Sequence, residues 1–285
     1  MDRKYGFIGC GNMGGALVRS AAKTGKAIYI ADRNEEKLNA LKDEVGAEPV
    51  SLGKLAETCN MIFLGVKPQG MAAMLSEIKE VLEKRAAKIN ASAEASGDPA
   101  ADADSLVIVT MAAGFSIETI RGMLGEEAAK LPVIRIMPNL PVSVGEGMTL
   151  YCTEGVSIGL EQDFLDFMKY SGKLLKIDEK LIDAGSAVSG CGPAFVYLFI
   201  EAMADGGVSC GLPRGKAQLM AAQTLIGAAQ LLLESGRHPG ELKDAVCSPG
   251  GTTIAGVLAL EAGAFRSDVA DAVIAAYDRT LELRR

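Results

Sequence analysis

The chain has 285 residues, a formal net charge of −7 and a 49% hydrophobic composition. That is enough apolar side chain for a sizeable core, and it excludes the low-hydrophobicity, high-charge composition of a disordered chain. No Lys/Arg run is long enough to follow a phosphate backbone, so nucleic acid is not an expected partner.

The N-terminal segment lacks the long apolar core and small-residue cleavage site of a secretion signal. Phe195 to Met203, the most apolar stretch, is broken by Glu201 and followed by Asp205. It is too short and too charged to span a bilayer, so it reads as a buried helix. Six cysteines occur without a C-x-x-C pair, and His238 is the single histidine. These counts speak against a disulfide framework and a metal site, and imply free thiols in a reducing cytoplasm.

Lys4 to Ile8 favours a strand, Gly9 to Gly14 a turn, and Ala16 to Lys23 a helix with Ala16, Leu17, Ser20 and Ala21 on one face. Ala27 to Ala31 reads as a second strand. Glu35 to Val45 reads as a charged helix turning Leu38, Leu41 and Val45 inward. Met61 to Val66, Val107 to Met111 and Val133 to Met137 are short continuous apolar runs, the mark of strands buried on both faces. Helices are expected between them, at Met71 to Leu82 and Ile117 to Leu124. This alternation specifies a parallel, doubly wound sheet. Residues 84–104, rich in Ala, Ser and Asp with a Gly-Asp-Pro turn, read as a mobile or partly helical surface insertion.

Beyond Leu175 the strand signal stops. Helices are expected at Leu181 to Ala187, Gly192 to Asp205, Arg214 to Ser235, Glu241 to Cys247, Thr253 to Ala262 and Ser267 to Leu283. Proline and glycine mark their junctions, at Gly211, Pro213, Gly236, Pro239, Pro249, Gly250 and Gly251. Asp205-Gly206-Gly207 is expected to end or kink one of them. The expectation is an α/β Rossmann-type domain over residues 1–177 and an all-α domain over 178–285.

Gly9-Cys10-Gly11-Asn12-Met13-Gly14 matches G-x-G-x-x-G. It lies between an apolar strand, ending at Ile8, and a helix, the context in which this motif signals a dinucleotide. Gly9 allows the turn, Gly11 the approach of a pyrophosphate, and Gly14 close helix–strand packing. Free N–H groups at the helix start favour phosphate. Asp32, at the end of the second strand, stands where an acid holds the ribose 2′-OH of NAD. Arg33 beside it suits the 2′-phosphate of NADP, so the residues leave both cofactors open. Val66-Lys67-Pro68, Ala112-Ala113-Gly114 and Asn139 each follow a later strand, at the carboxyl edge where ligands gather.

The chain resembles the pyrroline-5-carboxylate reductase family from Phe7 to about Leu283. The resemblance rests on GFIGCGNMGGAL (from Gly6), FLGVKPQ (from Phe63), AAG (from Ala112), RIMPNLP (from Arg135), SGCGPAFVY (from Ser189), EAMADGGVSCGLPR (from Glu201) and HPGELKDAVCSPGGTTIAGVLALEAGAFR (from His238). Ser-Pro-Gly-Gly-Thr-Thr before an apolar helix is its most specific element. The insertion departs from the family pattern, as does Cys191 where a serine is usual.

The resemblance implies reduction of 1-pyrroline-5-carboxylate to L-proline by NAD(P)H, with NADPH favoured over NADH. It implies a substrate site at Ser248, Gly250, Gly251, Thr252 and Thr253, with Glu179 as a neighbour, and a homodimer built through the helical domain. Backbone N–H groups of that loop would grip the carboxylate, and the Thr253 hydroxyl would face the ring nitrogen. Helix capping by Thr252 or Thr253 is compatible with that role. His238, in a loop beside proline, reads as a surface or packing residue, and Cys191 and Cys247 as packing residues. Another NAD(P)-dependent imine or hydroxyacid reductase, or a non-catalytic cofactor-binding protein, remains an alternative.

Overall fold

The computed structural model describes residues 3–96 and 105–282. The chain divides into two compact units, Met1–Gly190 with Tyr277–Arg285, and Cys191–Ala276.

The first unit is built on strands β1 (Tyr5–Ile8), β2 (Ile28–Ala31), β3 (Glu48–Pro49), β4 (Met61–Leu64), β5 (Val107–Thr110), β6 (Val133–Met137), β7 (Gly147–Glu154) and β8 (Gly172–Lys176). They form an eight-stranded sheet in the order β3-β2-β1-β4-β5-β6-β7-β8. All neighbours are parallel except β6 and β7. The apolar strands bury both faces because alternate residues enter opposite cores. Ile8, Ile62, Leu64 and Ile108 belong to one core. Tyr5, Phe7, Met61, Phe63, Val107 and Val109 belong to the other. In the second core Tyr5 stacks on Phe167 with ring centroids 3.7 Å apart, and Phe7 stacks on Phe63 at 4.3 Å.

Helices α1 (Asn12–Ala22), α2 (Glu35–Val45), α3 (Leu52–Thr58), α4 (Pro68–Ser96), α5 (Ile117–Met123) and α6 (Ile158–Met168) cover the sheet. Asn34 caps α2 by accepting a hydrogen bond from the Lys37 amide, and Ser51 caps α3 through the Lys54 amide. Leu41 is buried while Leu38 and Val45 pack partly buried, as the spacing of α2 indicated.

Two expectations need correction. Helix α4 does not stop near Leu82 but continues to Ser96. An Ala-rich segment keeps helical propensity, and Arg85 ties it to α3 by donating to the carbonyls of Ala56 and Cys59. The rest of the insertion, residues 97–104, lies outside the described residues. The second correction concerns Gly206-Gly207. Helix α8 runs through them to Ser209, and a Cβ on Gly207 would meet Ala217 of the neighbouring helix at 3.2 Å. Gly207 serves close packing there, and neither glycine ends the helix.

Helices α7 (Ile182–Ser189), α8 (Gly192–Ser209), α9 (Arg214–Ser235), α10 (Pro239–Ala245), α11 (Thr252–Ala262) and α12 (Phe265–Glu282) follow. The change from strands to helices falls near residue 177, but the compact first unit extends to Gly190. The reason is α7, which packs on β7 and is ion-paired to β6 through Asp183. The second unit buries little by itself: Ala204 in α8, and Ala217 and Ala221 in α9.

Candidate active site

The strand order reverses between β1 and β4, the place where an open α/β sheet leaves a crevice at its carboxyl edge. A cleft of about 450 Å³ lies there. Its lining brings together Ile8, Gly9, Gly11, Asp32, Arg33, Val66 and Lys67, all named from the sequence. It adds Lys37 from α2, Val50, Ser51 and Leu52 before and within α3, Gly65 after β4, and Gly70, Met74 and Glu77 from α4. Gly70, Met74 and Glu77 recur at four and three residues, one helical face. That spacing, and a lysine one turn into the helix after Arg33, were the available signals for these residues.

The turn is shaped by close approaches. Gly9 has φ +93°, a left-handed conformation, and a Cβ there would stand 2.7 Å from the Gly65 carbonyl carbon. A Cβ on Gly14 would collide with the Gly9 carbonyl oxygen. Gly11 is different: nothing lies within 4 Å of where its Cβ would project. Gly11 is also the N-cap of α1, and no side chain caps that helix. Unclaimed amides and open space fit a pyrophosphate. Asn12 and Met13 form the first turn of α1, Met13 packing against the second core.

Asp32 is turned inward on its own backbone. Its Oδ2 accepts from the Cys10 amide at 2.6 Å and its Oδ1 from the Asn34 amide at 2.9 Å. Arg33 reaches across to Glu77 at 3.3 Å. Burial, with the charge of Asp32 adding to it, pushes the Cys10 thiol up to about 12, so this cysteine is a packing group and not a nucleophile.

The remaining first-unit residues stand outside the cleft lining. Pro68 begins α4. Ala112, Ala113 and Gly114 follow β5, with Gly114 at φ +79°. Asn139 is buried, and its amide is used at both ends: Oδ1 accepts from the Met148 amide and Nδ2 donates to the Ser189 carbonyl, each at 2.9 Å. Glu179 Oε1 accepts from the Ile117 amide at 2.7 Å and from Arg135 at 3.2 Å. Asn139 and Glu179 thus serve as internal ties. Arg135, which the sequence did not single out as functional, joins the latter tie.

In the second unit, Ser248, Pro249, Gly250 and Gly251 make a tight turn in which the Gly251 amide donates to the Ser248 carbonyl at 3.0 Å. Gly250 has φ +69°. Thr252 and Thr253 open α11, whose N-cap Gly251 brings no side-chain hydrogen bond. Neither threonine is the N-cap, so the first-turn amides remain available. His238 caps α10, its Nδ1 accepting from the Gly240 amide at 3.1 Å. Cys191 and Cys247 are half-buried free thiols.

The chain is similar to known proteins over its full length. A family model described as pyrroline-5-carboxylate reductase dimerisation matches residues 179–283. Another, described as NADP oxidoreductase coenzyme F420-dependent, matches residues 4–94. The chain is 37% identical to the pyrroline-5-carboxylate reductase of Escherichia coli (strain K12), with 100% of both chains covered. It is 37% identical to that of Pisum sativum, covering 98% of this chain and 95% of the relative. Among solved structures, Plasmodium falciparum pyrroline carboxylate reductase with NADP bound aligns at TM-score 0.82 and 30% identity, over 100% and 99% of the two chains. The Coxiella burnetii pyrroline-5-carboxylate reductase aligns at 0.85 and 27%, over 100% of both.

Proposed function

The chain belongs to the pyrroline-5-carboxylate reductase family and reduces 1-pyrroline-5-carboxylate to L-proline with NAD(P)H; from that premise we propose how its residues divide the work. The observation that carries the reading is the uncapped start of α1 at Gly11, with open space before it, at the switch point of the sheet.

The nicotinamide supplies the hydride, and the protein supplies positioning and charge. The first-turn amides of α1, reached past Gly9, Gly11 and Gly14, receive the pyrophosphate. Val50, Leu52, Val66 and Met74 give the cleft an apolar wall for the adenine. Asp32 keeps the glycine turn in shape through the Cys10 amide. Arg33 and Lys37 offer two positive charges to a 2′-phosphate, which favours NADPH over NADH.

The substrate carboxylate is assigned to the turn from Ser248 to Gly251 and the first amides of α11. Thr253 is assigned to the ring nitrogen, where its hydroxyl can accept from the iminium and steady the amine. The imine can take its proton from water, so no strong acid is needed. His238, engaged in capping, is not called on.

The helical unit is assigned to homodimerisation. Its apolar groove of about 700 Å³, lined by Phe195, Phe199, Met203, Leu260 and Phe265 among others, and exposed Leu198, Leu219, Leu233 and Leu258 form more apolar surface than a monomer keeps in water. A monomeric mass by light scattering would contradict this. Six free cysteines suit the cytoplasm.

The test is oxidation of NADPH and of NADH, separately, with 1-pyrroline-5-carboxylate, beside Thr253→Ala. Turnover that drops sharply in the variant supports the loop assignment. Full turnover in the variant removes Thr253 from the site.

A further inference from the structure

The cleft is lined by five charged side chains: Asp32, Arg33, Lys37, Lys67 and Glu77. Asp32 is committed to backbone amides. Lys37 and Lys67 have no ion pair among the described residues. Arg33 alone of the three cations arrives with a carboxylate, that of Glu77, at 3.3 Å. Glu77 lies on α4 in the face that also lines the cleft through Gly70 and Met74. The pair therefore joins the loop after β2 to α4 at the edge of the cleft to which the 2′-phosphate is assigned.

We propose that Glu77 is a specificity-determining residue that narrows the discrimination between NADPH and NADH by competing with the 2′-phosphate for Arg33. This rests on the assignment of the 2′-phosphate to Arg33 and Lys37. A phosphate carries more than one negative charge near neutral pH. To receive it, Arg33 must leave Glu77 or hold two anions at once. A 2′-hydroxyl asks for neither, so NADH binds beside an intact, neutral pair. The cost falls on NADPH alone. Both side chains are largely exposed, 81% for Arg33 and 56% for Glu77, so solvent screens the pair and the effect is modest.

The measurement is the dissociation constant of each reduced cofactor, by fluorescence titration of the full chain, for the wild type, Glu77→Gln, Arg33→Gln and the double variant. Glu77→Gln is expected to shift the Kd ratio about two- to fivefold toward NADPH, the range an exposed ion pair supports. The shift is expected to vanish when Arg33 is already glutamine. An unchanged ratio in Glu77→Gln, with Arg33→Gln still weakening NADPH selectively, would overturn the inference and leave the phosphate assignment standing. A gain that persists without Arg33 would overturn the exchange, because Glu77 would then act by direct repulsion. No change of ratio in Arg33→Gln would overturn the assignment beneath it.

Discussion

Arg135 and Asp183 meet at 2.9 Å with neither side chain more than 2% exposed. The pair ties the middle of the sheet to α7, and Arg135 also donates to Glu179, which holds the first amide of α5. With Asp183 gone, the buried Arg135 keeps the partly exposed Glu179 carboxylate at 3.2 Å. Removing one member of a buried pair costs about 3–5 kcal/mol where the charge is left uncompensated, and with Glu179 still in place the loss is expected to fall below that range. Asp183→Ala is therefore expected to lower the urea midpoint and the Tm markedly. A loss below about 1 kcal/mol would show that Glu179 or water compensates Arg135 fully.

Gly11 and Gly14 separate folding from binding within one motif. Gly14→Ala drives a Cβ into the Gly9 carbonyl and is expected to lower Tm and cofactor affinity together. Gly11→Ala meets no protein atom within 4 Å, and its φ of −67° suits alanine. Its Cβ occupies the space assigned to the pyrophosphate. The expected outcome is an unchanged Tm in the absence of cofactor and at least tenfold weaker NADPH binding, about 1.4 kcal/mol. Equal affinity in Gly11→Ala would place the phosphates elsewhere.

Strands β1, β2, β4, β5 and β6 were legible as apolar segments between turns, and the glycine motif because its spacing follows from close packing. Strands β3, β7 and β8 were not read from the sequence, β3 being only the two residues Glu48–Pro49. β7 carries Thr149 and Cys152 among its apolar residues, and β8 contains Lys173 and Lys176, so both mimic a polar linker. Asn139 was placed at the site by its position after a strand, and Glu179 by the family resemblance. Their roles depend on partners 9 to 62 residues away, which no local pattern reveals. The Arg33–Glu77 pair spans 44 residues and is hidden for the same reason.

Alkaline pH tests the burial of three thiols. Burial pushes Cys10 up to about 12 and Cys59 and Cys152 to about 11, from 9.0. A pKa raised on folding stabilises the native state fully below the unfolded value, and that contribution is lost as pH rises through the folded value. Stability is thus expected to decline from about pH 9, by about 1.4 kcal/mol per pH unit for each thiol that ionises only when unfolded. Urea midpoints between pH 8 and 10.5 measure it, and Cys59→Ala should flatten the slope by one proton. A midpoint independent of pH across that range would contradict the burial of these groups.

Gly251 offers the sharpest test of the substrate turn. Its φ of −79° is open to alanine, so the substitution imposes no backbone strain. Its Cβ, however, would run into the Ser248 hydroxyl and stand 3.1 Å from the Ser248 carbonyl. The hydroxyl can rotate away, but the carbonyl is fixed by its bond from the Gly251 amide. The carbonyl must give by a few tenths of an ångström, and the turn and the first amides of α11 shift with it. Helix α11 has no buried residue, so the fold has little to lose. Losing one amide bond to a carboxylate costs about 1.5–3 kcal/mol, and KM for the imino acid is expected to rise about tenfold or more. Kd for NADPH should stay unchanged, because Gly9 to Gly14 and Arg33 belong to the other unit. A variant with normal KM and normal kcat would show that the carboxylate is held elsewhere. One with both constants impaired alongside NADPH affinity would point to general misfolding, which the Tm would expose.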